Sequence, residues 1–368
     1  MIIPNSARRL VLALVALPWL ASFHSLSASA AQATAVDAAA LSKITLNIGQ
    51  NNGELEPLYR ASGAFDGTPY KIKFSSFNNA LDNYTALAAG NVDVSDSAVT
   101  TAQQLQQSAA VPWTAATAPI KTILVRVSDY PGSLPKYVVI AGSKSGITQL
   151  NANTLKGKKF AYSPGANNYL VYLATLKYFG VKPSELRPVQ LDTTANSLAL
   201  LSNNVDLVSG SIELYGAAID DGAKIVSSSA KLGLPLLSGI LANTDALNDH
   251  LKGAAIKDFV VRYIKFQDWF TTHPAAAQAA YVNGRHFTKA QAETAWRSSR
   301  IFFVPVSTET VAQAQQVSNL LYDAGAFTKK LDASVIFDDR FSKLVEQTLT
   351  DTHFAANLKA SLATPSGK

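Results

Sequence analysis

The sequence of 368 residues predicts an α/β protein in two lobes, each a sheet flanked by helices, and three observations carry that reading. Short β-branched runs alternate with helical patterns, as in βα units with parallel sheets. One helix–turn–strand segment occurs twice. The chain is also too long for a single ordinary core, which makes two domains the natural division. Its composition, 48% hydrophobic and 16% charged with apolar positions spread throughout, is globular and excludes a disordered or collagen-like chain.

Residues 1–30 carry Arg8 and Arg9 and no acid, then an apolar run over 10–23, then Ser27-Ala28-Ser29-Ala30. That order is the pattern of a secretory signal peptide. The apolar run, about 14 residues with Pro18 inside it, is shorter than the roughly 20 that span a bilayer. Removal of the segment lowers the formal charge from +6 to +4. Residues 31–42, Ala-rich and polar, read as a flexible leader.

Strands are then expected at 44–49, 70–77 and 92–94, with helices at 54–64 and 81–89. An extended stretch over 123–141, broken at Tyr130-Pro131-Gly132, leads to a second block. There the strands fall at 159–162, 186–191 and 205–208 and the helices at 168–179 and 196–201. From residue 254 onward the pattern is helical, and the stripe of Phe259, Tyr263, Phe266 and Phe270 is assigned to packing, with Pro274 as its end.

The repeat lays Ala86-Leu87-Ala88-Ala89-Gly90-Asn91-Val92-Asp93-Val94 over Ala199-Leu200-Leu201-Ser202-Asn203-Asn204-Val205-Asp206-Leu207. Both copies read as an apolar helix end, a residue suited to a left-handed C-cap, and a Val-Asp strand. Two α/β lobes of related design follow from it.

Most catalytic chemistry finds no support in the residues. With no Cys there is no disulfide framework, thiolate metal site, thiol nucleophile or lipid anchor on an N-terminal Cys. The five His, at 24, 250, 273, 286 and 353, form no pair at metal-ligand spacing. No GxSxG or phosphate loop occurs, and no basic cluster interleaved with aromatics suggests nucleic acid. Catalytic residues, metal and cofactor are therefore left unassigned.

What remains is a repeated geometry. Several strands run through small polar residues into a helix: Gly49 to Glu54, Ser95 to Ala98, Ser163 to Asn168, and Ser209 to Glu213. Ligands of open α/β sheets bind outside the carboxyl ends of strands, where free N–H groups of the next helix point outward. Each such segment alone is explained by helix capping. Four on two facing lobes describe a binding cleft.

Here the sequence resembles the periplasmic substrate-binding proteins of ABC transporters, in particular the aliphatic sulfonate, taurine and nitrate group. The residues that carry the resemblance are Ile48-Gly49-Gln50, Gly90-Asn91-Val92-Asp93-Val94-Ser95, Leu155-Lys156-Gly157-Lys158-Lys159, Tyr162-Ser163-Pro164-Gly165-Ala166 and Asn204-Val205-Asp206. The resemblance implies a type II periplasmic-binding-protein fold, with lobe 1 at 43–136 plus 242–368 and lobe 2 at 137–241. A two-strand hinge is implied at about 137–141 and 234–241, and C-terminal helices that pack on lobe 1. It further implies a monomer, free in the periplasm and not lipid-anchored, that hands a small solute to ABC permease subunits.

The implied ligand contacts are Gln50 and Asn52, then Ser95, Asp96 and Ser97, then Ser163, Gly165, Ala166, Asn167 and Asn168, and last Glu213 and Tyr215. Two positions depart from the group: Asp96 stands where small neutral residues are usual, and Ser211-Ile212-Glu213-Leu214-Tyr215 replaces a Trp-Asp-Pro-aromatic segment. A carboxylate about 4 Å from a bound anion would oppose it by about 4 kcal/mol at intermediate dielectric. Either Asp96 and Glu213 turn away as helix caps, or the solute also bears a cation, as taurine does. A nitrogenous or pyrimidine-like solute held by Tyr215, Tyr169 and the acids is the alternative within the class. An enzyme on the same fold is the alternative outside it.

Overall fold

Parallel βα units build two sheets in the computed structural model, which describes residues 38–51, 53–127, 133–163 and 167–363. The expected signal peptide lies outside the described residues, as do Asn52, Gly165, Ala166 and the turn at 130–132. In chain order the strands are β1 (Thr45–Asn51), β2 (Lys71–Phe77), β3 (Val94–Ala98), β4 (Ile120–Val127), β5 (Tyr137–Ala141) and β6 (Lys159–Tyr162). They continue as β7 (Arg187–Gln190), β8 (Leu207–Ser211), β9 (Lys224–Ser228), β10 (Leu237–Asn243) and β11 (Phe302–Val304).

The six-stranded sheet has the order β11-β4-β10-β3-β1-β2 and the five-stranded sheet the order β7-β6-β8-β5-β9. Neither is wholly parallel, which corrects the expectation from the strand–helix alternation. In each sheet three parallel strands, β2-β1-β3 or β7-β6-β8, meet an antiparallel neighbour. That neighbour is β10 beside β3 and β5 beside β8. The alternation reports only local βα units. The antiparallel partners come from far along the chain, Asp96 lying opposite Ile240.

The repeat is visible in three dimensions. Gly90 and Asn203 both adopt left-handed φ, +76° and +57°, and so end their helices in the same way. Asp93 Oδ2 accepts the backbone N–H of Asn47 at 2.8 Å, and Asp206 Oδ2 accepts that of Lys159 at 2.8 Å. In both copies the carboxylate pins the start of a strand to the entry of its parallel neighbour.

The helix His250–Thr272 buries Phe259, Tyr263, Phe266 and Phe270 in the core of the six-stranded half. Each such ring contributes about 1.5–3 kcal/mol through burial. Pro274 opens a new helix, Pro274–Arg285, at its first turn, where a missing N–H costs nothing. The C-terminal helices reach both halves: Lys289–Ser298 packs on the turn Ile212–Leu214, and Val317 and Leu321 join the core of the five-stranded half. No described helix is long and apolar enough to cross a membrane.

Candidate ligand-binding cleft

Where β3 and β8 end, residues from both halves enclose a cavity of about 80 Å3. The second and fourth polar segments are largely strand: Ser95 to Ala98 belongs to β3 and Ser209 to Ser211 to β8. Ladder bonds to β10 and β5 hold them extended, so their side chains alternate between faces. Asp96, Ser97 and Ala98, at the end of β3, line the cavity, whereas Ser95 is fully buried and does not.

Asp96 is neither a helix cap nor a free acid. It binds the Arg126 guanidinium through Nη1 at 2.7 Å and Nη2 at 2.6 Å, and it accepts a short hydrogen bond from the Tyr263 hydroxyl. Arg126 Nη1 also reaches that hydroxyl at 3.1 Å. Burial, the largest single influence, lowers the Arg126 pKa, but Asp96 together with Tyr263, Tyr137 and Glu54 moves it upward. Glu213 likewise does not cap a helix. Its Oε1 lies 3.1 Å from Lys136 Nζ, which also donates to Ser299 Oγ at 3.2 Å. For Lys136, burial pulls the pKa down most strongly, and Glu213, Tyr137 and Glu54 together raise it above the usual value.

The first segment differs from expectation as well. Gln50 does not face the cavity, because its Oε1 accepts the backbone N–H groups of Leu55 at 2.9 Å and Glu56 at 3.0 Å and anchors the loop. The lining residues are instead Asn51, whose amide donates to Ser97 Oγ at 3.3 Å, and Glu54. The Glu54 side chain has no hydrogen-bond or ion-pair partner among the described residues. Burial raises its pKa, opposed by Arg285 and Lys136 and reinforced by Glu213 and Asp96.

From the third segment, Asn168 lines the cavity. Ser163 is tied down by Asn196 Nδ2 at 2.7 Å, on the helix Thr193–Leu201. Asn167 links the two halves: its Oδ1 accepts from Thr100 Oγ1 at 3.1 Å and its Nδ2 donates to Ser238 Oγ at 3.3 Å. Tyr215 is a correction. Its ring is fully buried in the core, where it fills the space a side chain on Gly210 would need, and it does not line the cavity.

A second hollow of about 50 Å3 shares Glu54, Asp96, Arg126, Lys136 and Glu213 with the first and extends to Phe270, Tyr281 and Arg285. Together they hold three carboxylates and three cationic side chains, a balanced set. A wider groove of about 810 Å3 opens elsewhere, but Lys121 in it is spent on the carbonyls of Ala115 at 2.7 Å and Val335 at 2.6 Å. The cleft is where polar groups of both halves converge. Arg126 and Lys136 escaped the sequence reading, although a charge inside the apolar strand Ile123-Leu124-Val125-Arg126-Val127 was a visible anomaly.

Two mixed α/β sheets with a polar cleft at their strand ends match the type II periplasmic-binding-protein fold. Residues 71–223 match the family described as NMT1/THI5 like. A putative ABC transporter periplasmic binding protein of Brachyspira hyodysenteriae is 30% identical over 115 residues, 31% of this chain. The chain spans about a third of that relative's length, 32%. The periplasmic aliphatic sulphonate binding protein SsuA from Escherichia coli superimposes with a TM-score of 0.64 at 19% identity, over 80% of this chain and 92% of that one. The alkanesulfonate-binding protein SsuA from Xanthomonas axonopodis pv. citri, bound to MOPS, gives 0.67 at 18% identity, over 80% and 98%. The family match spans less than half of the chain, and the likeness to the SsuA proteins is one of fold.

Proposed function

We propose that the protein is the solute-binding component of an ABC importer, capturing a small organic solute, an aliphatic sulfonate or taurine-like compound, and delivering it to a membrane permease. The observation that carries this reading is the charge-balanced cavity built jointly by the two sheets at their strand ends. Ser97, Asn51, Asn168 and Ser211 can replace the water around a polar solute, while Arg126 and Lys136, held in place by Asp96 and Glu213, supply positive charge. β5 and β10, antiparallel to β8 and β3 beside them, mark where the chain passes between the halves, and bending there opens and closes the cleft. The Thr100–Asn167–Ser238 contact forms on closing. The closed surface is what a permease would recognise, and export through the segment 1–30 would place it in the periplasm.

A planar nitrogenous solute loses support, because Tyr215 lies in the core and Tyr169 stacks on Tyr162. Desulfinase chemistry uses a Cys nucleophile, and the chain contains none. The test is a thermal-shift panel of taurine, alkanesulfonates, nitrate, aromatic sulfonates and amines. A bound member at about 100 times its dissociation constant adds about 2.7 kcal/mol. Turnover of a panel member without stabilisation overturns the reading.

A further inference from the structure

We propose that Glu54 sets the charge class of the solute: its carboxylate receives an ammonium group, so the cleft selects a small zwitterion over a simple anion. The inference rests on the solute-binding reading and deepens it.

Three carboxylates face the cleft, and two are spent. Asp96 holds Arg126 at 2.6 Å and Glu213 holds Lys136 at 3.1 Å. Glu54 lines both hollows and has no such partner among the described residues. The cations that act on it, Arg285 first and then Lys136, form no ion pair with it. Lys136 is engaged by Glu213 and Ser299, and the Arg285 guanidinium lies over the Phe287 ring at 5.0 Å. The loop that carries Glu54 is fixed by the two hydrogen bonds to Gln50 Oε1 and by the Glu54 N–H donating to the Asn51 carbonyl at 3.1 Å. The carboxylate is therefore placed in advance, half-buried and without an ion pair of its own.

Such a group either takes up a proton or waits for a charged partner. A bound ammonium supplies that partner. Because the side chains of the cleft already balance, a solute of zero net charge leaves the balance intact. A bare anion adds negative charge beside three carboxylates.

The experiment titrates taurine and ethanesulfonate, which differ by one ammonium group, into the full chain, Glu54→Gln and Glu54→Asp. We expect the unmodified protein to bind taurine at least about 10-fold more tightly than ethanesulfonate, the scale of one charge-assisted hydrogen bond. Glu54→Asp keeps the preference and Glu54→Gln abolishes it. Taurine binding strengthens as pH rises above about 4.5 and Glu54 ionises among Asp96, Glu213, Arg126, Lys136 and Arg285. Without solute, a carboxyl whose folded pKa is raised takes up more protons folded than unfolded. Stability therefore falls as pH rises from about 4.5 through the raised value, and Glu54→Gln removes that fall. Equal binding of the two compounds, an unchanged preference in Glu54→Gln, or taurine binding that weakens with pH overturns the role of Glu54 and leaves the solute-binding reading intact. Failure of both compounds and of the whole panel overturns that reading and the role of Glu54 with it.

Discussion

The two copies of the repeated helix–turn–strand unit begin alike and diverge at the cleft. In both, an aspartate one residue past a buried valine pins the neighbouring strand, Asp93 to Asn47 and Asp206 to Lys159. Asp93 is nearly inaccessible and holds Lys252 at 2.7 Å, whereas the Asp206 side chain is 30% exposed and faces Lys158 at 3.8 Å. Further along, the first unit reaches the closed set Asp96, Arg126 and Tyr263, and the second reaches Glu213, whose Oε2 has no hydrogen-bond partner among the described residues. The shared part of the repeat is scaffold. The divergent part distributes the work of the cleft between a rigid wall and an adjustable one.

The largest effect that would break this comparison is at the rigid wall. Asp96→Ala leaves Arg126 buried and uncompensated and should cost about 3–5 kcal/mol in urea unfolding. Glu213→Ala frees Lys136, which is more exposed and keeps Ser299, so a smaller loss of about 2 kcal/mol is expected in the same assay. Equal losses would show that the two walls do not differ.

Next come the paired aspartates. Asp93→Ala strips a buried N–H of its acceptor and should cost about 2–3 kcal/mol, against about 1 kcal/mol for Asp206→Ala. The smallest contrast is at the caps, read from melting curves. Gly90→Ala forces an L side chain into left-handed backbone at about 1 kcal/mol, while Asn203→Gly should shift stability by no more than about 0.5 kcal/mol.

The scaffold was legible because its signals are local. The cap residues Gly90 and Asn203, the Val-Asp pairs and the strand–helix rhythm all lie within a few residues of what they determine, and each appears near its expected place. The cleft was legible only as a set of strand ends. Asp96 depends on Arg126, 30 residues away, and on Tyr263, 167 away, and no periodicity links them. The stripe containing Tyr263 was assigned wholly to packing because its ring does pack, and the hydroxyl that finds Asp96 is invisible to a helical pattern. The mixed sheets escaped for the same reason, since β10 joins β3 across more than a hundred residues.

The balanced set of charges in the cleft also bears on how fast a solute arrives. With three carboxylates and three cationic groups in one enclosure, the field beyond a Debye length of about 10 Å is weak. Capture as proposed would then proceed without electrostatic steering, which elsewhere raises association rates by about 10-fold to 1,000-fold. Stopped-flow association should therefore vary little with ionic strength, and differences between solutes should appear in how slowly they leave.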